Sequence, residues 1–275
     1  MSGAAAKTNK ITIECAGLLL QNHPILAAIE NFCMLESLYP NKISVGIGQA
    51  NGLNGWISEH PLYKDAISKH TDRSLLDEKI KNFILCAKNI HQDKISPKIK
   101  SFPNIMMLGS GSNGASIAAK HGLPFNIAYF INTKSTTEII NSYRDGFIPN
   151  IPNDKPRVSF SIHAICADTD QIAYSHAKAI YLLYESIRQK KPLTLISTGE
   201  AAKVRLSEDQ KEIFHSFLDK HLIGSKNTIL DRYKDIIKPH KPEQIFLNTS
   251  IGNLDDRLFS FKGFSSLFNE DIMNL

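Results

Sequence analysis

Gly109, Gly111 and Gly114 stand at GxGxxG spacing inside "IMMLGSGSNGASIAAKHGLPFNIAYFI", where an apolar run breaks into Gly and Ser and then resumes with helix-forming residues. Glycines let a backbone approach a bound group closely, and the free N–H groups opening the next helix present partial positive charge. The chemistry this suits is the cradling of a phosphoryl group. Ser110, Ser112 and Asn113 add side-chain donors to the same turn. Between a strand and a helix this spacing is also the dinucleotide-binding fingerprint, which calls for an Asp or Glu about 20 residues further on. That place, "YFINTKS", holds Asn132 and Lys134 but no carboxylate, and Glu138 falls inside the following helix. A mononucleotide phosphate therefore suits the turn better than NAD. An NAD-dependent oxidoreductase stays open as an alternative, as do glycines that serve only a tight turn and close helix packing.

Other reactive residue types are scattered. Asn22 and His23 follow the apolar run "KITIECAGLLL" and precede Pro24, where they can line a pocket or cap a helix. His163 lies within an apolar strand pattern and is expected to be a satisfied core histidine. Ser197, Thr198 and Gly199 sit in a polar stretch expected to be a loop, which can cover a site although polar loops usually need no function. Cys15, Cys33, Cys86 and Cys166 form no CxxC pair and have no His at zinc spacing, so neither a disulfide framework nor a metal site is implied. No Ser-His-Asp or Cys-His set can be assembled from the sequence.

The elements that must carry these residues alternate between short β-rich runs and longer amphipathic stretches. Six strands are predicted: "KITIECAGLLL", "KISVGIGQ", "IMMLGS", "FNIAYFI", "RVSFSIHAICA" and "EQIFLNTSI". Several are continuously apolar, as strands of a helix-covered parallel sheet are. Pro24 is placed in the first turn of a helix with Ile25, Ile29, Phe32 and Leu35 on one face. Leu76, Ile80, Phe83 and Ile84 repeat that pattern, and Asp168 and Thr169 read as caps of a third helix. "GQANGLNGWISEHPLYKDAISKHTDR" and "RQKKPLTLISTGEAAKVRLSEDQ" read as long loops. With no repeat or linker, residues 1–275 are expected to form one domain.

Composition narrows the class. The formal charge of +5 comes from lysines interleaved with acidic and apolar residues, which describes solvated helix faces rather than a nucleic-acid groove. No apolar run approaches the ~18 residues of a membrane span, and "MSGAAAKTNK" lacks a signal peptide's apolar core. A cytoplasmic protein without nucleic-acid or membrane partners is the expectation.

Several segments together resemble a known family. "LGSGSNGASIAAKHGLPFNIAYFI" is similar to the part of luciferase-like flavin monooxygenases that reads LGSS, then SA, AA and GLPF. "NHPILAAIENFCMLESLYPNKISVGIGQANG" resembles their NHxP, AExF and LyPgRidLGlGRApG region. "SYRDGFIP", "AICADTD", "HLIGSKNTILDRYKDI" and "DDRLFSFKGF" match later segments in order, from about Thr8 onward. The resemblance implies an α/β fold of the TIM-barrel-like (β/α)₈ type, with FMN bound at the carboxyl ends of the strands. It also implies reduced flavin and dioxygen acting on a small organic substrate. A flavin reductase is the implied supplier of reduced FMN. The six strands would be barrel strands three to eight, leaving the first two without counterpart, so an incomplete barrel in a homo- or hetero-oligomer is expected. The cofactor-binding positions implied are Asn22, His23, Gln49, Gly109, Ser110, Gly111, Ser112, Asn113 and Gly114. Gln49 replaces the family's phosphate-binding arginine and offers no charge or bidentate fork. Gly111 and Gly114 replace two serines, and Gly48 matches a luciferase cysteine. A weakened FMN site follows, with a non-catalytic luciferase-like subunit as the alternative function.

Overall fold

A computed structural model describes residues 1–48, 76–89, 95–189, 191 and 196–272. The loop expected at residues 48–73 falls, from Gln49 on, outside the described residues. The chain divides into two compact units, Met1–Ile127 with Thr136–Arg157, and Ala128–Ser135 with Val158–Leu275.

In the first unit, strands β1 (Ile13–Leu18), β2 (Ile43–Gly48), β3 (Asn104–Gly109) and β4 (Phe125–Ala128) lie side by side in chain order. They are parallel, with Cys15 opposite Val45, Val45 opposite Ile105 and Met107 opposite Phe125. Because side chains alternate faces, this register gathers Val45, Ile47, Met107, Phe125 and Ile127, all fully buried, on one face. The first unit's helices are α1 (Ser2–Ala5), α2 (Ile25–Leu38), α3 (Leu76–Lys88), α4 (Ser112–Lys120) and α5 (Thr136–Asp145). Leu76, Ile80, Phe83 and Ile84 of α3 are all buried, as their spacing predicts. Pro24 differs from expectation: it is the extended N-cap of α2, and the helix starts one residue later. The turn after α2 is held by Glu36, whose buried carboxylate accepts the Asn41 N–H at 2.6 Å. That contact supports Asn41 at φ 62°, a conformation Asn tolerates better than most residues.

In the second unit β5 (Val158–Cys166) pairs in parallel with β7 (Gln244–Asn248) along Ser159–His163 and with β6 (Leu222–Gly224) along Ala164–Cys166. Strand β6 was not among the six expected. At three residues it carries too little periodicity to register. Around β5 and β6 stand α6 (Asp170–Arg188), α7 (Thr198–Lys203), α8 (Glu208–Asp219), α9 (Lys226–Ile236) and α10 (Leu254–Ser266). Ile165, Ala173, Ala177, Ile180, Leu218 and Ile223 form their core. Thr169 caps α6, accepting the Ile172 N–H, whereas Asp168 takes no part in the cap. The loop expected at residues 188–210 contains α7, which a Ser197–Glu200 capping box starts. Ser197, Thr198 and Gly199 are thus a helix start rather than a covering loop. The strand expected at residues 125–131 ends at Ala128, where the Ile131 N–H turns back to the Ala128 carbonyl.

Candidate functional site

Parallel strands in the first unit bring the carboxyl ends of β1, β2 and β3 to one edge. Strands β1 and β3 both flank β2, so their ends lie roughly 10 Å apart. Following β3, Gly111 is the N-cap of α4 in an extended conformation, with no side-chain cap bond. Gly109 and Gly114 have a packing reason. A Cβ on Gly109 would lie 3.2 Å from the Gly114 Cα, and one on Gly114 would lie 3.1 Å from the Gly109 Cα. These two glycines let the strand end and the first helical turn touch. Gly111 differs, because a Cβ there would meet nothing within 4 Å. Close packing thus accounts for two of the three glycines, while the third opens onto space beside the first-turn N–H groups of α4. Ser112 and Asn113 are exposed on that turn and Ser110 is half-buried.

Asn22 closes the single 3₁₀ turn after β1, Leu20–Asn22, and His23 follows it in extended conformation. Both side chains are exposed, and neither caps α2, whose N-cap is Pro24 with no side-chain bond. The capping alternative for these two residues is therefore overturned. Gln49 lies outside the described residues.

The strand face opposite the apolar one carries Glu14, Ser44, Gly46, Gly48, Leu108 and Asn126, by the register Glu14–Ser44, Gly48–Leu108 and Leu108–Asn126. Glu14 is half-buried and its carboxyl is pushed above the ordinary value by burial, with the Ser44 hydroxyl acting in the opposite sense. The bare backbone on this face is occupied: a Cβ on Gly17 would lie 2.6 Å from a Leu108 methyl, and one on Gly46 would lie 2.9 Å from it. Sequence reasoning missed this contact. Its signal was the alternating glycines of "VGIG", which mark a close approach within a strand.

The second unit holds three buried histidines, His163, His176 and His221. His163 packs against Tyr184, whose hydroxyl lies 3.1 Å from Nε2, and against Phe130, Phe217 and His221. It is buried in the core as its strand position predicts, but it is not fully satisfied, because Nδ1 has no well-formed hydrogen bond. Burial lowers it from 6.5 to about 4, with the Asn248 backbone acting weakly against that. Burial likewise depresses His221, as do the positive charges near it. At the start of α9, Asp170 accepts the Ser225 N–H at 2.6 Å and the Thr228 hydroxyl at 2.9 Å, so that helix end already has its carboxylate. These bonds, the Ser225 N–H foremost, hold Asp170 below the ordinary carboxylate value. Among the described residues no group of His, Cys, Asp and Glu is placed to hold a metal ion. Among the described residues no helix is long and apolar enough to cross a membrane.

Comparison with known proteins places these features. The model of a family described as luciferase-like monooxygenase matches residues 87–239, more than half of the chain. An uncharacterized Bacillus subtilis (strain 168) protein, YwcH, is 25% identical over 274 residues, covering 95% of this chain and 80% of the relative. Among solved structures, apo-MsnO8 superposes with a TM-score of 0.80 at 23% identity, covering 98% of this chain and 80% of its own. The oxygenating constituent of 3,6-diketocamphane monooxygenase from Pseudomonas putida, solved in complex with FMN, gives 0.59 at 13% identity, with 90% and 75% coverage. Chains of this fold thus include one that binds FMN and others that depend on coenzyme F420.

Proposed function

The chain belongs to the luciferase-like monooxygenase family and has its α/β TIM-barrel fold, and we propose from this that it is an FMN-linked monooxygenase acting on a small organic substrate. One observation carries the cofactor assignment. Of the three glycines in the turn after β3, Gly111 alone has no packing role, and it faces open space at the start of a nine-residue helix. An extended φ of −161° suits any residue, so glycine there serves access rather than conformation. The residues present fit the phosphate end of FMN: the first-turn N–H groups of α4, with the Ser110 and Ser112 hydroxyls, would hold it. Gln49 would contribute an uncharged donor.

Bound FMN, once reduced, would supply the activation of dioxygen. This chain's own part is to bind, to orient and to keep the site dry. Asn22 and His23, exposed at the end of β1, supply donors. Leu108, over the backbone of Gly17 and Gly46, supplies an apolar floor. A separate flavin reductase would deliver the reduced cofactor. Strand β1 pairs only with β2 among the described residues, and an edge with unpaired N–H and C=O groups favours an oligomer, of this chain or with another.

Purified protein mixed with FMN and passed through a desalting column should retain yellow flavin and, supplied with a reductase and NADH, consume dioxygen faster than the reductase alone. A colourless protein that forms a stable heteromer would overturn this in favour of a non-catalytic subunit. NADH binding without FMN would favour the dinucleotide reading of the glycine turn.

A further inference from the structure

We propose that the amino ends of β3 and β4, opposite the end carrying the glycine turn, form a second binding site for an anion with an apolar body. A cavity of about 440 Å³ opens there, within the usual size of small-ligand sites. Among the described residues its walls include Ile84, Phe102, Leu123 and Ile151, and three cationic side chains, Lys88, Lys100 and Arg157, line it with one carboxylate, Asp154.

Two of these charges, on Arg157 and Lys88, meet no carboxylate among the described residues. Arg157 makes no ion pair among the described residues, and Lys88 donates to the neutral Asn150 amide oxygen at 3.2 Å. Asp154 accepts only the backbone N–H of Lys155 among the bonds described. The like charges of Lys88 and Arg157 at one cavity repel one another, and a bound anion would relieve that repulsion while accepting charge-assisted hydrogen bonds. An apolar wall adjoins these charges, with Ile151 66% exposed at its rim.

The walls are held in place before any ligand arrives. Fully buried Tyr143 accepts the Arg157 N–H at 3.1 Å and donates to the Leu123 carbonyl at 2.9 Å, tying two sides of the cavity together. Asn150 donates to the carbonyls of His121 and Gly122 at 2.6 and 3.1 Å, and the Ile148 N–H reaches the Ala119 carbonyl at 2.9 Å. These bonds fasten the segment bearing Ile151 and Asp154 to the end of α4. A preformed site of this kind binds without the cost of ordering its loop. The occupant that matches both halves is a carboxylate or phosphate monoester with a short hydrocarbon or aromatic body.

Isothermal titration of the full chain with octanoate and octyl phosphate tests this, with 1-octanol and octylamine as probes of equal chain length. Saturable binding of at least one anion at a single site is expected, weakening as salt rises. Arg157→Gln should weaken it about 10-fold or more, and Lys88→Gln and Ile151→Asp should weaken it independently. The tighter of the two anions names the head group. Thermal melting of each variant checks folding, and Lys88 and Ile151, both exposed, provide variants that remain informative should Arg157→Gln not fold. Absence of saturable binding, equal affinity for 1-octanol or octylamine, or affinities unchanged in the folded variants would overturn the proposal. FMN retention does not enter this test, so its outcome is independent of the oxygenase reading.

Discussion

Three glycines in one turn carry different physical duties, and substitution separates them. Gly114→Ala would push a methyl group to 3.1 Å from the Gly109 Cα, a backbone contact that cannot swing aside. Overpacking of this kind typically costs about 1–3 kcal/mol, so urea denaturation should show a lower midpoint. Gly111→Ala meets nothing within 4 Å and keeps an allowed backbone. Its stability should match that of the parent while FMN retention falls, because the methyl group stands in the access path to the helix N–H groups. Equal retention by parent and G111A would remove the main support for the cofactor assignment. The buried histidines give a pH dependence. His163, lowered to about 4, is neutral in the folded protein near neutrality. The unfolded chain therefore binds a proton first as pH falls below the ordinary value of 6.5. The stability His163 contributes is complete above that value and is lost as pH drops toward 4, at up to about 1.4 kcal/mol per pH unit. His221, depressed in the same direction, adds to the slope. Unfolding free energies measured by urea between pH 7.5 and 5 should fall, and fall less steeply in His163→Phe; an unchanged slope would contradict this account.

Elements here end where side chains satisfy the backbone groups left over. Asp170 does so at a distance of 55 residues in sequence, accepting the Ser225 N–H and the Thr228 hydroxyl at the start of α9. Asp170→Ala should lower stability by roughly 1–2 kcal/mol, measured by denaturant midpoint. The carboxyl is held low, so its contribution is complete above the ordinary carboxylate value and vanishes only as pH falls through the depressed one. Tyr143 plays the corresponding part in the first unit, and Tyr143→Phe should cost about 1–3 kcal/mol by leaving buried backbone groups unpaired. Much at this scale was legible beforehand. The alternation of apolar residues in "KISVGIGQ" and the stripe of Leu76, Ile80, Phe83 and Ile84 each predicted the element that formed. Strand β6 was not legible, since three residues show no period. Helix α7 was concealed in a stretch whose Ser and Gly content resembles a loop, although Ser197 and Glu200 at capping-box spacing did mark its start.

For the whole molecule, light scattering coupled to gel filtration should give a mass above that of one 30.7 kDa chain, because β1 has an edge with no strand paired to it among the described residues. A monodisperse monomer would show that edge to be protected some other way. The strand–turn–helix order, the parallel pairing it enforces and the family were readable from local residue types, since periodicity, Gly placement and motif order are properties of neighbouring positions. GxGxxG spacing could not reveal that Gly109 and Gly114 touch each other while Gly111 touches nothing, because that depends on how a helix is docked on a strand end. Nor could it place Leu108 over Gly17 and Gly46, or gather Lys88, Lys100 and Arg157 around one cavity from positions as many as 69 residues apart. Such contacts are decided by register and packing among distant segments, and only the tertiary structure brings those segments together.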